Sequence, residues 1–464
     1  MSQTDGLNRR AFLRNAGMTA LAGAVGSSSS LVPSAAGATF ESVQNGKFDF
    51  DTIYNRIGTD SVKFDQQIRT YGAGSVQVGM GIADMDFRAA PSITKALQDR
   101  LQHENWGYLD MGATNKKMTE LVVAWNKKRY NLDINPDTVA FSTGVHPAII
   151  ATLEAFCPRG SKVLLNTPTY NGFYGDLRNS GTIAEENPMK VVNSRYSLDF
   201  EDFERRIGPD ANAFILCNPQ NPTGNCWSAA DLMRIGEICL KRRVVVLADE
   251  IHCDFVTKGQ KYTPFASLPD KAIVNNSITF KAASKSFGLA AHKYAWYFST
   301  NQDYLRRIAA QIRSDITTLG VAANRGALEG GEEWLNQCVE YIDGTHDYVT
   351  QYVAANMPMI KCVKPQGTYL MWLDVTAVAE KIGAKAQAEA ANKAKAPNAP
   401  TITPEQIVER FFVKNAKVHL NQGASYGLGG ANHMRMNLGT SRKLVEIALT
   451  NMSSALKSPT TSMV

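Results

Sequence analysis

The strongest pattern along the chain is a set of short, almost unbroken apolar runs that end in polar or turn-forming residues. KVLLNTP (162–168), AFILCNP (213–219) and RVVVLADE (243–250) have strand length and lack the alternation of a half-solvated strand. They predict strands buried on both faces of a parallel sheet. TVAFSTG (138–144), AIVNNSITF (272–280) and YAWYFST (294–300) read as further strands. Between these runs the period changes. SITKALQDRLQ (92–102) is amphipathic, and PAIIATLEAFC (147–157) opens with proline, a residue favoured at the first helical position. Ser228 with Asp231 three residues on starts a helical pattern through Leu232, Ile235 and Leu240. Strand–helix alternation of this kind predicts a doubly wound α/β domain.

The pattern changes after about residue 325. GTYLMWLDV (367–375) reads as a strand of a second, smaller α+β unit. Residues 379–402, rich in Ala and Lys with late prolines, read as an exposed insertion with some helix. Thr403-Pro404-Glu405-Gln406 then carries the signature of another helix start. The expected organisation is an arm and part of the small domain over 39–90, a large domain over 91–325 and a small C-terminal domain over 326–464. No internal repeat is visible.

Composition narrows the class. The 464 residues are 44% hydrophobic and 20% charged, an ordinary globular balance with ample material for a core. The net charge of +6 comes without a basic stripe, zinc pattern or RNA-binding aromatic motif, so nucleic acid is not an expected partner. The seven cysteines (157, 217, 226, 239, 253, 338, 362) are scattered, odd in number and free of CxxC pairs, as in a protein that folds with reduced thiols. The N-terminus departs from that picture. Arg9-Arg10-Ala-Phe-Leu-Arg14 precedes a mild Gly/Ala-rich stretch, and Ala36-Gly37-Ala38 fits a small-residue cleavage site. Residues 1–38 resemble a twin-arginine export signal. The expectation is export by the twin-arginine machinery to the periplasm in folded form, without stable membrane insertion after cleavage, since the apolar stretch is too short to span.

The candidate chemistry lies at strand ends. NPQNPTG (218–224) follows one apolar run and in isolation is a plain turn. Asp249 closes the next run, where an unpaired carboxylate is expensive and needs a cationic partner. Lys285, in ASKSFGLAAHK (283–293), follows a third. Asn221, Asp249 and Lys285 therefore fall on one edge of one sheet, where open α/β sheets bind ligands. An amide, a carboxylate and a lysine are what pyridoxal phosphate requires. No GxSxG or HExxH motif points to a hydrolase.

IADMDF (82–87), WGY (106–108), TPTYNGFY (167–174), CNPQNPTG (217–224), DEIHCDF (249–255), SKSF (284–287), GTYLMWLD (367–374) and MRMN (434–437) follow in the order seen in the class I/II aminotransferase superfamily of fold-type I pyridoxal phosphate enzymes. The chain resembles that superfamily over about residues 47–455, and within it the cystathionine β-lyase and cysteine-S-conjugate β-lyase group. The resemblance implies a homodimer acting on a small amino-acid substrate. Lys285 is then the Schiff-base lysine, with Ser284 beside it at the cofactor. Asp249 pairs with the pyridine nitrogen, Asn221 and His252 lie at the ring oxygen, and Tyr170 stacks on the ring. Gly144, Val145 and His146 present backbone N–H groups to the phosphate, and Tyr108 reaches it from the neighbouring subunit. Arg435 and Ala83 are expected at the substrate. His252 stands where aminotransferases often have tyrosine. Ala282 replaces a frequent hydroxyl residue, and Lys293 is a cation that the lyases lack, so a phosphate role is expected for it. The implied reaction is β-elimination at a carbon–sulfur bond. Transamination by an exported enzyme is the rival, and an inactive binding protein the alternative of another class.

Overall fold

The computed structural model describes residues 43–44 and 46–457, apart from 193, 194 and 397; the expected export signal lies outside the described residues. The chain divides into two units, 1–47 and 48–464. The first contributes, among described residues, the strand Val43–Gln44.

A seven-stranded sheet organises the second unit. Its strands are β1 (Val139–Ser142), β2 (Lys162–Thr167), β3 (Ile183–Pro188), β4 (Ala211–Cys217), β5 (Val245–Asp249), β6 (Ser277–Lys281) and β7 (Ala295–Phe298). They lie in the order β1-β7-β6-β5-β4-β2-β3. β7 is antiparallel to both neighbours and the other pairs are parallel. The apolar runs are continuous because both faces are covered. Leu164, Phe214, Leu216, Val246 and Ala248 share a core with Leu232 and Ile235 of α2 (Ala229–Arg242). Val163, Leu165, Ile215 and Leu247 point the other way, into a core with Ile149 and Leu153 of α1 (Val145–Phe156). Each such aliphatic side chain contributes about 1.5–3 kcal/mol by leaving water. Truncating the fully buried Leu247 to alanine would cost about 2–5 kcal/mol.

Register places the chemistry. Asp249, the last residue of β5, lies opposite Cys217 of β4 and Phe280 of β6. Asn221 and Lys285 follow within a few residues of those strand ends, so all three emerge at the carboxyl edge.

A second, antiparallel sheet joins β8 (Leu370–Asp374), β9 (Asn421–Gln422) and β10 (His433–Asn437) in the order β8-β10-β9. Its core includes α5 (Pro404–Ala416) and α6 (Arg442–Lys457), together with Val78 and Met80 from the N-terminal segment. A 25-residue helix, α3 (Glu332–Asn356), runs between cores. Trp334, Leu335, Cys338 and Ile342 pack beside the large sheet, and Val349 and Val353 pack in the second core.

Several expectations need correction. AIVNNSITF is not one strand: Lys271–Asn275 is a short helix capped by the Asp270 carboxylate, and the strand begins at Ser277. α1 starts at Val145, two residues before Pro147; proline is tolerated anywhere in the first turn, where N–H groups have no helical acceptor. The 379–402 insertion is only partly exposed. It contains α4 (Ala384–Ala394), whose Ala384, Ala388 and Ala391 are buried at helical spacing. The helix Met111–Tyr130 and α3 had not been expected from the sequence. Both expected cap pairs, Ser228 with Asp231 and Thr403 with Gln406, form reciprocal capping boxes. All seven cysteines are free.

Candidate active site

Lys285 sits on a single helical turn, Ala283–Ser286, immediately after β6. Its Nζ donates to the Ala83 carbonyl at 2.8 Å, an oxygen that also accepts from Tyr369 Oη at 3.1 Å. Burial lowers the amine from the usual 10.5 to about 8; the Arg435 cation acts the same way, and Asp84 and Asp249 oppose it. Asp249 is buried and makes no ion pair among the described residues. Burial pushes its carboxyl up to about 6, against the Ile251 amide, which donates to Oδ1 at 3.2 Å, and the positive field of His146 and Lys285.

Arg435 lies on the middle strand of the second sheet, opposite Trp372 and Asn421. It is 2% exposed. One guanidinium nitrogen donates to Asn221 Oδ1 at 3.1 Å and the other to the Gly81 carbonyl at 2.8 Å, while its Nε has no partner. Its charge faces the Tyr426 ring at 5.3 Å. Asn221 thus bonds Arg435 through its oxygen, leaving the Nδ2 amide to donate elsewhere. His252 is buried edge-on to Tyr369, 5.6 Å between centroids, with Nδ1 unpartnered. Burial and the Lys285 and Arg435 charges hold its pKa well below that of an ordinary imidazole.

At the start of α1, Gly144 is an extended N-cap without a side-chain bond. The first amides of the helix, on Val145 and His146, therefore have no helical acceptor and form an anion site. The His146 ring reaches the other way. Nδ1 is 2.7 Å from Asp176 Oδ2, and Nε2 is 3.3 Å from Tyr170 Oη. The carboxylate raises the imidazole pKa; burial raises the Asp176 carboxyl, and the bond to His146 opposes that rise without cancelling it. Burial raises the Tyr170 phenol.

These groups meet at the carboxyl edge. The Ser284 hydroxyl is half-buried and makes no hydrogen bond among the described residues. Lys293 is exposed, in left-handed backbone with φ +43°, and makes no ion pair there. Tyr108 is fully exposed on the loop before the Met111 helix. Sequence reasoning missed Asp176, Tyr369 and the Gly81 carbonyl. Gly172 was a usable signal: a Cβ there would lie 2.5 Å from the Tyr170 ring and 2.8 Å from that of His146. A buried carboxylate without a cation, an orphaned imidazole nitrogen, a free guanidinium Nε and open helix amides fit pyridoxal phosphate and a carboxylate-bearing substrate. No group of side chains that could hold a metal occurs among the described residues, and no helix there is long and apolar enough to cross a membrane.

Cystathionine β-lyase PatB of Bacillus subtilis is 32% identical over 413 residues, 88% of this chain and all of that protein. Cystalysin of Treponema denticola, whose crystal structure contains pyridoxal 5'-phosphate, is similar at TM-score 0.78 and 27% identity, over 89% of this chain and 99% of its own. The pyridoxal phosphate-bound C–S lyase of Staphylococcus hominis is similar at TM-score 0.75 and 25% identity, over 88% and 99%. Residues 75–452 match the family described as aminotransferase class I and II, and the chain belongs to that family.

Proposed function

We propose that this protein is a pyridoxal 5'-phosphate-dependent carbon–sulfur β-lyase. Its substrates are cysteine S-conjugates of the cystathionine type. The observation that carries the reading is the meeting, at one sheet edge, of an amine lowered to about 8 on Lys285, the unpaired Asp249 carboxyl and the buried Arg435 guanidinium. Relatives over nearly the whole chain are named cystathionine β-lyase.

When bound, the cofactor supplies an aldehyde that captures amines and a protonated ring that accepts electron density from the substrate Cα. Asp249 would hold the ring-nitrogen proton, the Asn221 amide would donate to the ring oxygen, and Tyr170 would pack on the ring. The Val145 and His146 amides would bind the phosphate, with Lys293 adding charge. Arg435 takes the substrate carboxylate in a charge-assisted bond. The Lys285 amine removes the Cα proton. Overall, the Cβ–S bond breaks with its electron pair leaving on sulfur, which takes a proton as thiol. One water is consumed, and the three-carbon remainder ends as pyruvate and ammonia.

Transamination uses the same residues with a different destination for the proton. The RRAFLR segment favours that second reading, because cystathionine is an internal metabolite. Incubation with L-cystathionine or an S-aryl cysteine tests the choice. Equal yields of pyruvate and thiol are expected. Release of neither, with pyridoxamine phosphate formed from an amino acid, overturns the lyase in favour of the aminotransferase. Two further parts belong to this reading. The protein is a homodimer in which the exposed Tyr108 serves the neighbouring site, and it is exported folded to the periplasm, as the paired arginines and the free cysteines support.

A further inference from the structure

The turn that carries Lys285 is tied, through the residue that follows it, to a buried polar cluster with no part in the chemistry above. The Ser286 hydroxyl donates to Asp254 Oδ2. Asp254 Oδ1 accepts from Arg129 Nε at 2.7 Å and from Tyr130 Oη. Above the Tyr130 ring, 4.1 Å from its centroid, stands Lys281 Nζ. That ammonium donates to Asn126 Oδ1 at 3.0 Å and lies 3.7 Å from Glu250 Oε2. Asp254, Glu250 and Lys281 are all under 9% exposed. Buried ion pairs of this kind often stabilise no better than apolar side chains of equal volume. What they do supply here is fixed geometry.

The Lys285 turn needs that geometry from outside. It is a single turn, with Phe287 N–H donating to the Ala283 carbonyl at 3.0 Å and Leu289 N–H to the Ser284 carbonyl at 3.1 Å, and its N-cap, Ala282, gives no side-chain bond. One isolated turn does not hold itself. Ser286 is the side chain of the turn that bonds it to a carboxylate. Asp254 lies on the segment that also carries Asp249 and His252. The bond therefore links the two segments that deliver the amine and the ring acid.

We propose that Ser286, held by Asp254, is a positioning residue for Lys285: the tether sets where the amine stands relative to the substrate Cα. The proposal rests on the catalytic reading above only in its first step, Cα proton removal, which elimination and transamination share.

The test compares parent, Ser286→Ala and Ser286→Thr holoenzymes with an S-aryl cysteine for turnover and, in deuterated water, with L-alanine, which has no leaving group, for exchange. The readouts are Cα hydrogen exchange, kcat, KM, melting temperature and the borohydride-reducible visible band. A displacement of about 1 Å at a reacting group can cost about a hundredfold. Ser286→Ala is therefore expected to lower exchange and kcat together by about 10- to 100-fold, with KM, melting temperature and cofactor content unchanged. Ser286→Thr, which restores the hydroxyl, is expected to recover the loss. Exchange by Ser286→Ala within twofold of the parent overturns the proposal. So does a loss that follows the melting temperature and that Ser286→Thr leaves uncorrected. A parent that neither exchanges the Cα hydrogen of L-alanine nor releases thiol from the S-aryl cysteine refutes the catalytic reading itself, and is told apart from a failed tether because it needs no variant.

Discussion

An amine that titrates near 8 instead of 10.5 sets how fast the cofactor-free protein captures an aldehyde as pH is varied. Only the neutral amine attacks. At about pH 7.5 roughly a quarter of such amines are neutral, against about one in a thousand for an ordinary lysine, a gain of about two hundredfold. The shape of the profile is more diagnostic than its height. From about pH 7 to pH 9 the neutral fraction of Lys285 rises about tenfold and levels off, whereas an ordinary lysine rises about a hundredfold and is still climbing. The assay is stopped-flow mixing of cofactor-free protein with pyridoxal phosphate, following growth of the visible band, with Lys285→Ala as the blank. Two variants test the cause. Arg435→Leu removes a cation that disfavours the ammonium, so the midpoint moves up. Asp84→Asn removes an anion that favours it, so the midpoint moves down. A hundredfold climb without levelling, or shifts of the opposite sign, would refute the argument.

Further expectations concern packing and the phosphate. Gly172→Ala forces a methyl into the Tyr170 and His146 rings and is expected to cost about 1–3 kcal/mol in denaturant titration, with weaker cofactor retention; unchanged stability would show that the rings move freely. Lys293→Ala removes a cation worth about 1 kcal/mol at an exposed site and should raise the apparent cofactor dissociation constant about fivefold. Unchanged retention would reject its phosphate role. Co-producing Lys285→Ala and Tyr108→Ala chains gives heterodimers with one intact site if Tyr108 crosses the interface. Activity of the isolated heterodimer near half the parental value is then expected, whereas no recovery would place Tyr108 at its own chain's site.

The parallel strands were legible in the sequence because burial on both faces writes an unbroken apolar run, and a strand end is where such a run stops. That is why Asp249 and Lys285 could be placed on one edge from spacing alone. The error at Lys271–Asn275 has the same origin: a short apolar run does not tell strand from helix, and the Asp270 cap decided it. The alanine-rich insertion misled by composition, since Ala384, Ala388 and Ala391 are buried at helical spacing, a pattern that a polarity count does not register. Contacts distant in sequence left no local mark. Arg435 meets Asn221 across 214 positions and Arg129 meets Asp254 across 125; neither separation has a period. The functional reading thus came from the order of short motifs, and the positioning bonds needed coordinates.

The whole account depends on the amine of Lys285 carrying the cofactor. Borohydride reduction of the purified holoenzyme, proteolysis and mass spectrometry of the peptides test it most directly. The account predicts one pyridoxyl-modified peptide, with the modification on Lys285 and none on Lys281 or Lys293. A modification on another lysine, or a protein whose visible band resists borohydride, would contradict it.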